Sequence, residues 1–252
     1  MKLTNKTILI TGASSGLGRG VAEALGRRGN RLILTARRLP LLEEVAEIVR
    51  ASGSECVVVT ADATDKDAVQ AVIDAGLEAF GPIDVALLNA GGGDPSPMDS
   101  TPIDRVTEIM RRNYDTFVNF LMPLIPHMKD RDTTIAYTGS PAGYVGLPKS
   151  GPYSAAKAAG RILFDSARVE LADSGITFVG LYPGFTYTPG LDPSQIPSKA
   201  LVITADRAVR EMIGAMEAGK PHHMFPKRIV ALMAFGRSLP EPLRRRVLRA
   251  AT

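Results

Sequence analysis

TGASSGLG, residues 11–18, is the stretch on which the fold turns. The apolar, β-rich run TILIT (residues 7–11) precedes it, and a helix-like stretch from about residue 17 to 28 follows. Gly12 lets the chain turn sharply, while Gly16 and Gly18 let backbone and helix approach a ligand closely. The start of the helix then presents free N–H groups and a partial positive charge, which suit a pyrophosphate. Three glycines alone arise by chance. Strand, glycines and helix in this order point to dinucleotide binding rather than to a purely structural turn. The spacing is G-x-x-x-G-x-G, not the G-x-G-x-x-G of the common fingerprint.

Outward from this loop, strand-like and helix-like segments alternate. RLILT (31–35), CVVVT (56–60), IDVALLNAG (83–91), TTIAYTGS (133–140) and ITFVGLYPG (176–184) read as strands, and a last strand holds His222 and His223. Between them lie helical patterns at 39–52, 65–80 and 103–125, the last expected to stop at Pro126, and a helix carrying Tyr153 and Lys157 to about Asp173. The strands are apolar almost throughout, as in a parallel sheet covered on both faces. No linker or repeat divides the 252 residues. The expectation is an α/β protein: a single doubly wound Rossmann-type domain, with a mostly parallel sheet of about seven strands and helices on both faces. Residues 1–225 form the dinucleotide-binding catalytic domain, with a substrate loop at about 184–203. Residues 226–252 form a basic helical extension of it. Ligands of such sheets lie beyond the carboxyl ends of the strands.

The second strand ends LTARR. A site for NAD usually places an acid here to bind the ribose 2′-hydroxyl, and none is present. Arg37 and Arg38 stand there instead, and a guanidinium suits a 2′-phosphate through several charge-assisted hydrogen bonds. The cofactor expected is NADP(H), with Arg37 as the phosphate reader, Ser14 as a further donor and Arg38 adding only field.

A second pattern is SGPYSAAKAAG, residues 150–160, with Tyr153 and Lys157 one helical turn apart among small residues. Ser140 lies 13 residues before the tyrosine. Ser-x12-Tyr-x3-Lys together with T-G-x-x-x-G-x-G resembles the short-chain dehydrogenase/reductase family, and the resemblance runs from about residue 7 to 188. It implies a catalytic set of Asn113, Ser140, Tyr153 and Lys157. In the family the matching asparagine kinks its helix and holds a water that leads to the lysine. The cofactor-binding set it implies is Gly12, Ser14, Ser15, Gly16, Leu17, Gly18, Arg37, Arg38, Asp62, Ala63, Asn89, Ala90, Gly91, Pro183, Gly184, Thr186 and Thr188, joined by Tyr153 and Lys157. Asp62 matches the acid that caps the adenine, Asn89 to Gly91 match the end of N-N-A-G, and Thr188 matches the threonine that bonds the carboxamide. Leu88 replaces the first asparagine, and Thr186 stands where an aliphatic residue is usual.

The chemistry follows from the residue types. A tyrosine titrates near pH 10, and the charge of Lys157 is expected to lower the Tyr153 pKa toward a working range. Tyr153 then serves as acid or base on a carbonyl or alcohol, Ser140 orients the same oxygen, and Lys157 also reaches the ribose hydroxyls. NADPH pools are usually reducing, so carbonyl reduction is the expected direction. Tyr144, Leu147, Phe185 and Tyr187 are expected to line the substrate pocket, with Val145 nearby, and to favour a fairly apolar ketone, aldehyde or alcohol. A catalytically idle NADP-binding sensor or scaffold is the alternative; such a protein needs no acid–base group at the carbonyl. An epimerase of the extended branch is disfavoured by the glycine spacing and the chain length.

Charge adds an asymmetry. Residues 220–252 hold eight basic side chains against Glu241, a net +7, while the chain as a whole carries +4. The rest is therefore mildly acidic, which argues against general nucleic-acid binding. PLRRRVLRA (242–250) reads as a short basic amphipathic helix, either packed on its own subunit or a dimer partner, or in peripheral contact with a membrane surface. The start of the chain shows no leader and no span, and a cytoplasmic protein, membrane-associated at most, is expected. Cys56 reads as a small core hydrophobe. His127, His222 and His223 do not make a metal site, since neighbours in a strand point to opposite faces. A homodimer or homotetramer is implied by the family.

Overall fold

The structure, a computed structural model, describes residues 1–191 and 199–250. Part of the expected substrate loop, residues 192–198, lies outside the described residues. The elements run in the order β1 (Thr7–Thr11), α1 (Gly16–Gly26), β2 (Arg31–Ala36), α2 (Leu39–Ala51), β3 (Glu55–Thr60), α3 (Lys66–Phe80), β4 (Val85–Leu88), α4 (Ile103–Met110), α5 (Thr116–Met128), β5 (Thr133–Thr138), α6 (Gly151–Glu170) and β6 (Ile176–Pro183). After these come β7 (Thr186–Tyr187), β8 (Ile203–Thr204), α7 (Ala205–Glu217), β9 (His222–Phe225), α8 (Lys227–Ser238) and α9 (Glu241–Ala250).

Seven strands form one parallel sheet in the order β3-β2-β1-β4-β5-β6-β9. The order reverses between β1 and β4, so the first glycine loop and the end of β4 open on the same crevice. Both faces of the sheet are buried. Leu32, Leu34, Val85 and Leu87 pack with α1, α2 and α7, while Leu9, Ile33, Ala86 and Ile135 pack with α3, α5 and α6. Successive residues of a strand face opposite cores, which is why the strands are apolar at every position. The single doubly wound α/β domain is as expected.

The helix expected over 103–125 differs in two ways. It is not continuous: a π-helical turn, Arg111–Asp115, separates α4 from α5. Nor does it stop at Pro126. Pro123 and Pro126 both lie inside α5, which runs to Met128. An interior proline costs about 3 kcal/mol, but Leu121, Leu124 and Met128 are fully buried, and each such side chain returns about 1.5–3 kcal/mol. β7, β8 and α7 were not anticipated. α7 has a readable start, since the Thr204 hydroxyl accepts from the Arg207 N–H at 3.3 Å.

Candidate active site

A cavity of about 1120 Å³ lies at the carboxyl ends of β1, β2, β4, β5 and β6. Its floor is the glycine loop. Gly12 and Gly16 adopt φ of 67° and 58°, where side-chain-bearing residues are strained. Gly18 is not in the cavity wall. A Cβ there would stand 2.3 Å from the Gly12 carbonyl oxygen, so this glycine is needed for the close fit of α1 under the turn. Thr11, not singled out in the sequence, holds the two sides of the crevice together: its hydroxyl accepts the N–H groups of Asn89 and Ala90 at 2.9 and 3.0 Å. The signal for it was its place at the end of a fully buried strand, where a hydroxyl needs partners.

At one end of the cavity Arg37 and Arg38 line the wall beside Ser14, Ser15, Gly16 and Leu17. Arg38 is the more engaged of the two. It donates to the Ser15 hydroxyl at 2.8 Å and to that of Ser14 at 3.3 Å, so more than a diffuse field is placed there. Arg37 faces Asp62, and Arg37 and Arg111 help hold that carboxyl below its usual range, after the hydrogen bonds from the Thr64 backbone. Asp62 Oδ1 accepts both the N–H and the hydroxyl of Thr64 at 2.9 Å, which fixes the turn after β3. Asp62, Ala63, Asn89, Ala90, Gly91, Pro183, Gly184, Thr186 and Thr188 all line the cavity. Thr188 faces the glycine loop, its Cβ 3.6 Å from where a Cβ on Gly16 would be.

At the other end stand Ser140, Tyr153 and Lys157. Ser140 caps a short turn, Pro141–Tyr144, by accepting from the Ala142 N–H at 3.2 Å, and its hydroxyl pulls the Tyr153 pKa down. Lys157 is buried and donates to the Thr138 carbonyl at 2.9 Å; its Nζ lies 5.8 Å from the Tyr153 ring centroid. Burial lowers the Lys157 pKa to about 8. The expected lowering of Tyr153 is not what the pocket produces. Burial pushes the phenol above its ordinary value, and only the Ser140 hydroxyl opposes it. The Lys157 Nζ is bound to a carbonyl, 5.8 Å from the ring centroid, and does not offset the desolvation.

Asn113 is fully buried and does not reach the cavity. It lies in the π turn, and its side chain is bound to the backbone of Gly92, with Oδ1 accepting and Nδ2 donating at 2.9 Å each. It acts on the site by shaping the loop after β4. Its neighbour Arg112 reaches the same loop, donating to the Gly92 carbonyl at 3.2 Å and to Asp94 at 2.6 Å, and Arg105 also bonds Asp94. The loop is thereby held against the tyrosine: a Cβ on Gly93 would be 3.3 Å from the Tyr153 ring.

The pocket beyond Tyr153 is lined by Val145, Leu147, Phe185 and Leu191, and by Ile229, Leu232 and Met233 of α8. Two expected substrate residues are elsewhere. Tyr144 does not line the cavity; its ring is edge-on to that of buried Tyr182 at 5.2 Å and covered by Arg161 at 4.4 Å. Tyr187 is half-exposed, because its place on the short strand β7 points it away from the cavity while Thr186 is buried. The α8 residues were not expected. Nothing in a tail read as basic and surface-lying marks which of its apolar side chains will turn inward.

The residues fit a dinucleotide: a glycine cradle over a helix start, two guanidinium groups at one end, and half-buried Ser140 and Tyr153 with buried Lys157 at the other. Among the described residues no cluster of His, Cys, Asp or Glu is arranged to hold a metal ion.

Comparison with known proteins agrees with this geometry. The family described as short chain dehydrogenase matches residues 6–196. An uncharacterized oxidoreductase of Myxococcus xanthus is 33% identical over 243 residues, covering 96% of both chains. One from Listeria innocua is 28% identical over 244 residues, covering 96% of this chain and 94% of its own. Among solved structures, a short chain dehydrogenase/reductase from Burkholderia phymatum in complex with NAD has the same fold, with a TM-score of 0.86 at 23% identity over 94% of each chain. An alcohol dehydrogenase from the archaeon Thermococcus sibiricus, complexed with 5-hydroxy-NADP, gives a TM-score of 0.78 at 26% identity, over 87% of this chain and 95% of its own.

Proposed function

The chain belongs to the short-chain dehydrogenase family of oxidoreductases, and on that footing we propose that it is an NADP(H)-dependent enzyme that interconverts a carbonyl and an alcohol, working chiefly as a reductase of apolar ketones or aldehydes. The observation that carries this reading is that Ser140, Tyr153 and Lys157 come together on the wall of the same cavity that has Arg37 and Arg38 at its far end.

The cofactor, when bound, supplies the hydride to the carbonyl carbon. Tyr153 donates its proton to the carbonyl oxygen as negative charge develops there, and Ser140 hydrogen-bonds that oxygen and sets its position. Tyr153 carries its proton at neutral pH, as a phenol does at its ordinary pKa, and is thus ready to act as the acid. Lys157 lies one turn along the same helix and would offer its ammonium to the ribose hydroxyls of a bound cofactor. Asn113 holds Gly92 and so sets the loop that would bear on the nicotinamide end. Arg38, braced on Ser14 and Ser15, and Arg37 beside it are the readers of a 2′-phosphate, with charge-assisted bonds that the 2′-hydroxyl of NAD does not offer. Residues 1–225 make up this catalytic unit, with the substrate loop at about 184–203, and residues 226–252 extend it. We read the protein as a homo-oligomer of the cytoplasmic side, able to touch a membrane surface through its basic end. Among the described residues no helix is long and apolar enough to cross a membrane.

The test is a nicotinamide absorbance assay over a panel of ketones and aldehydes, with the parent and Tyr153→Phe. Turnover by the parent with NADPH, and loss of about 10²–10⁴-fold in the variant, is expected for removal of a general acid. If both proteins bind NADPH and neither turns over any member of the panel, the protein is a nucleotide-binding sensor.

A further inference from the structure

Lys157 brings a charge into the core, and its surroundings satisfy little of it. The residue is 4% exposed and its ammonium has three protons to donate, yet among the described residues it makes a single hydrogen bond, to the Thr138 carbonyl at 2.9 Å. We propose that Tyr137 is a positioning residue of the reaction: the face of its ring holds the Lys157 ammonium from the core side and keeps it charged beside Tyr153. The proposal deepens the oxidoreductase reading above and rests on it.

Lys157 Nζ lies over the Tyr137 ring, 5.4 Å from its centroid, and over the Tyr153 ring at 5.8 Å. A ring face attracts a cation within about 6 Å, the more strongly where water is excluded. Tyr137 is 1% exposed, and burial pushes its phenol above the ordinary range, so the ring stays neutral at any working pH. One strand supplies both contacts of the ammonium: Tyr137 gives the ring and Thr138, the next residue, gives the carbonyl.

The ring is held between α5 and α6. Its centroid is 4.3 Å from that of Phe117 and 5.5 Å from that of Phe164. Gly160, three residues after Lys157 on α6, leaves the room. A Cβ there would overlap the Tyr137 hydroxyl and stand 3.0 Å from Cζ. Glycine is otherwise unfavourable inside a 20-residue helix. The Tyr137 hydroxyl has no hydrogen-bond partner among the described residues, so the contact with Lys157 runs through the ring.

The other groups near Lys157 do not take over this task. Arg161, one turn on, is bound to the Gly143 carbonyl and to Asp165, and it covers the Tyr144 ring of the turn packed on α6. The π turn brings the neutral Asn113, and Gly91 brings no side chain, a Cβ there lying 3.4 Å from Nζ. Burial is what lowers the Lys157 pKa, to about 8. A charge so close to being lost is sensitive to the loss of one ring.

The experiment compares the parent with Tyr137→Phe, Tyr137→Leu and Gly160→Ala, the last of which crowds the ring from α6. The pH profile of kcat/KM is measured with NADPH and a ketone, and urea denaturation is followed between about pH 6.5 and about pH 10. Without the ring face the ammonium is disfavoured and gives up its proton sooner. Tyr137→Leu is expected to lose activity about one pH unit earlier on the alkaline side, the equivalent of a tenfold weaker hold on the charge. Its stability should begin to rise with pH at a correspondingly lower pH, because the folded lysine deprotonates earlier and the unfolded one does not. Tyr137→Phe keeps the face and should keep the parent profile, and Gly160→Ala should shift toward Tyr137→Leu. If Tyr137→Leu does not fold, Gly160→Ala decides. Parent-like profiles in the variants that lose or crowd the ring overturn the proposal and leave Tyr137 as core packing, whatever their melting temperatures. An equal shift in Tyr137→Phe and Tyr137→Leu also overturns it, by assigning the effect to the hydroxyl. If the parent reduces no ketone, the oxidoreductase reading falls, and the urea series still tests the hold of the ring on the lysine.

Discussion

The side-chain amide of Asn113 closes both hydrogen bonds with the backbone of Gly92, accepting its N–H and donating to its carbonyl at 2.9 Å each. The same Nδ2 also donates to the Ile109 carbonyl at 3.0 Å, the group that in an unbroken α-helix would accept the Asn113 backbone N–H. A helix irregularity and a loop beside Tyr153 are therefore tied by a single side chain.

Asn113→Ala leaves the Gly92 N–H and two carbonyls without this partner in a buried setting, at a cost of about 1–3 kcal/mol per unsatisfied group. A lower melting temperature is expected, together with a fall in kcat larger than the change in KM for NADPH. Normal kcat and an unchanged melt would remove the positioning role.

Lys157 provides a pH signature. Its folded pKa of about 8 lies below the ordinary 10.5, so between these values the unfolded chain binds more protons than the folded one. Stability must then rise with pH from about 8, up to about 10, where ordinary tyrosines begin to ionise in the unfolded chain while buried Tyr137 and Tyr153 resist. The rise should amount to no more than about 3 kcal/mol. Urea denaturation across this window should show it in the parent and not in Lys157→Met; parallel curves for the two would show that burial does not perturb this lysine.

The two arginines after β2 should separate NADPH from NADH. Arg38→Ala removes a guanidinium already braced on two serines, and Arg37→Ala one that faces Asp62. Each should weaken NADPH binding by about 10- to 100-fold, the worth of a charge-assisted hydrogen bond, and leave NADH binding within about threefold. Titration by nicotinamide fluorescence measures both. Equal NADPH affinity for the parent and both variants would mean that neither reads a phosphate.

Asp94 anchors the loop that lies over the Tyr153 ring. Arg112 first, through its hydrogen bond, and Arg105 after it hold the Asp94 carboxyl below its usual range. A depressed carboxylate stabilises the folded loop above its unfolded pKa and loses that effect as pH falls through the folded one. The group is partly open to water, so Asp94→Ala should raise KM for the carbonyl substrate only about two- to fivefold, with kcat nearly unchanged. Steady-state kinetics settles the matter, and an equal loss in kcat would place Asp94 in the chemistry itself.

Much of this site can be read in the sequence, because the signals are local. Gly12 and Gly16 announce a turn that only glycine makes easily, and the Tyr153–Lys157 spacing puts both on one face of a helix whatever surrounds it. Ser140 was found by its distance along the chain from Tyr153, at the end of a buried strand. Other assignments failed where the answer depends on a partner remote in sequence. Tyr144 turns to Tyr182, which comes from another strand, and Arg38 finds Ser14 and Ser15 across the glycine loop.

The sequence by itself determined the parallel doubly wound domain, the glycine cradle and the Tyr153–Lys157 spacing, since periodicity and spacing act within a turn or a strand. Only the tertiary structure decided that Pro126 stays inside a helix, that burial raises the Tyr153 pKa, and that Ile229, Leu232 and Met233 line the pocket. These outcomes are sums over packed neighbours. Burial and desolvation belong to the assembled core, and no residue carries them before its partners arrive.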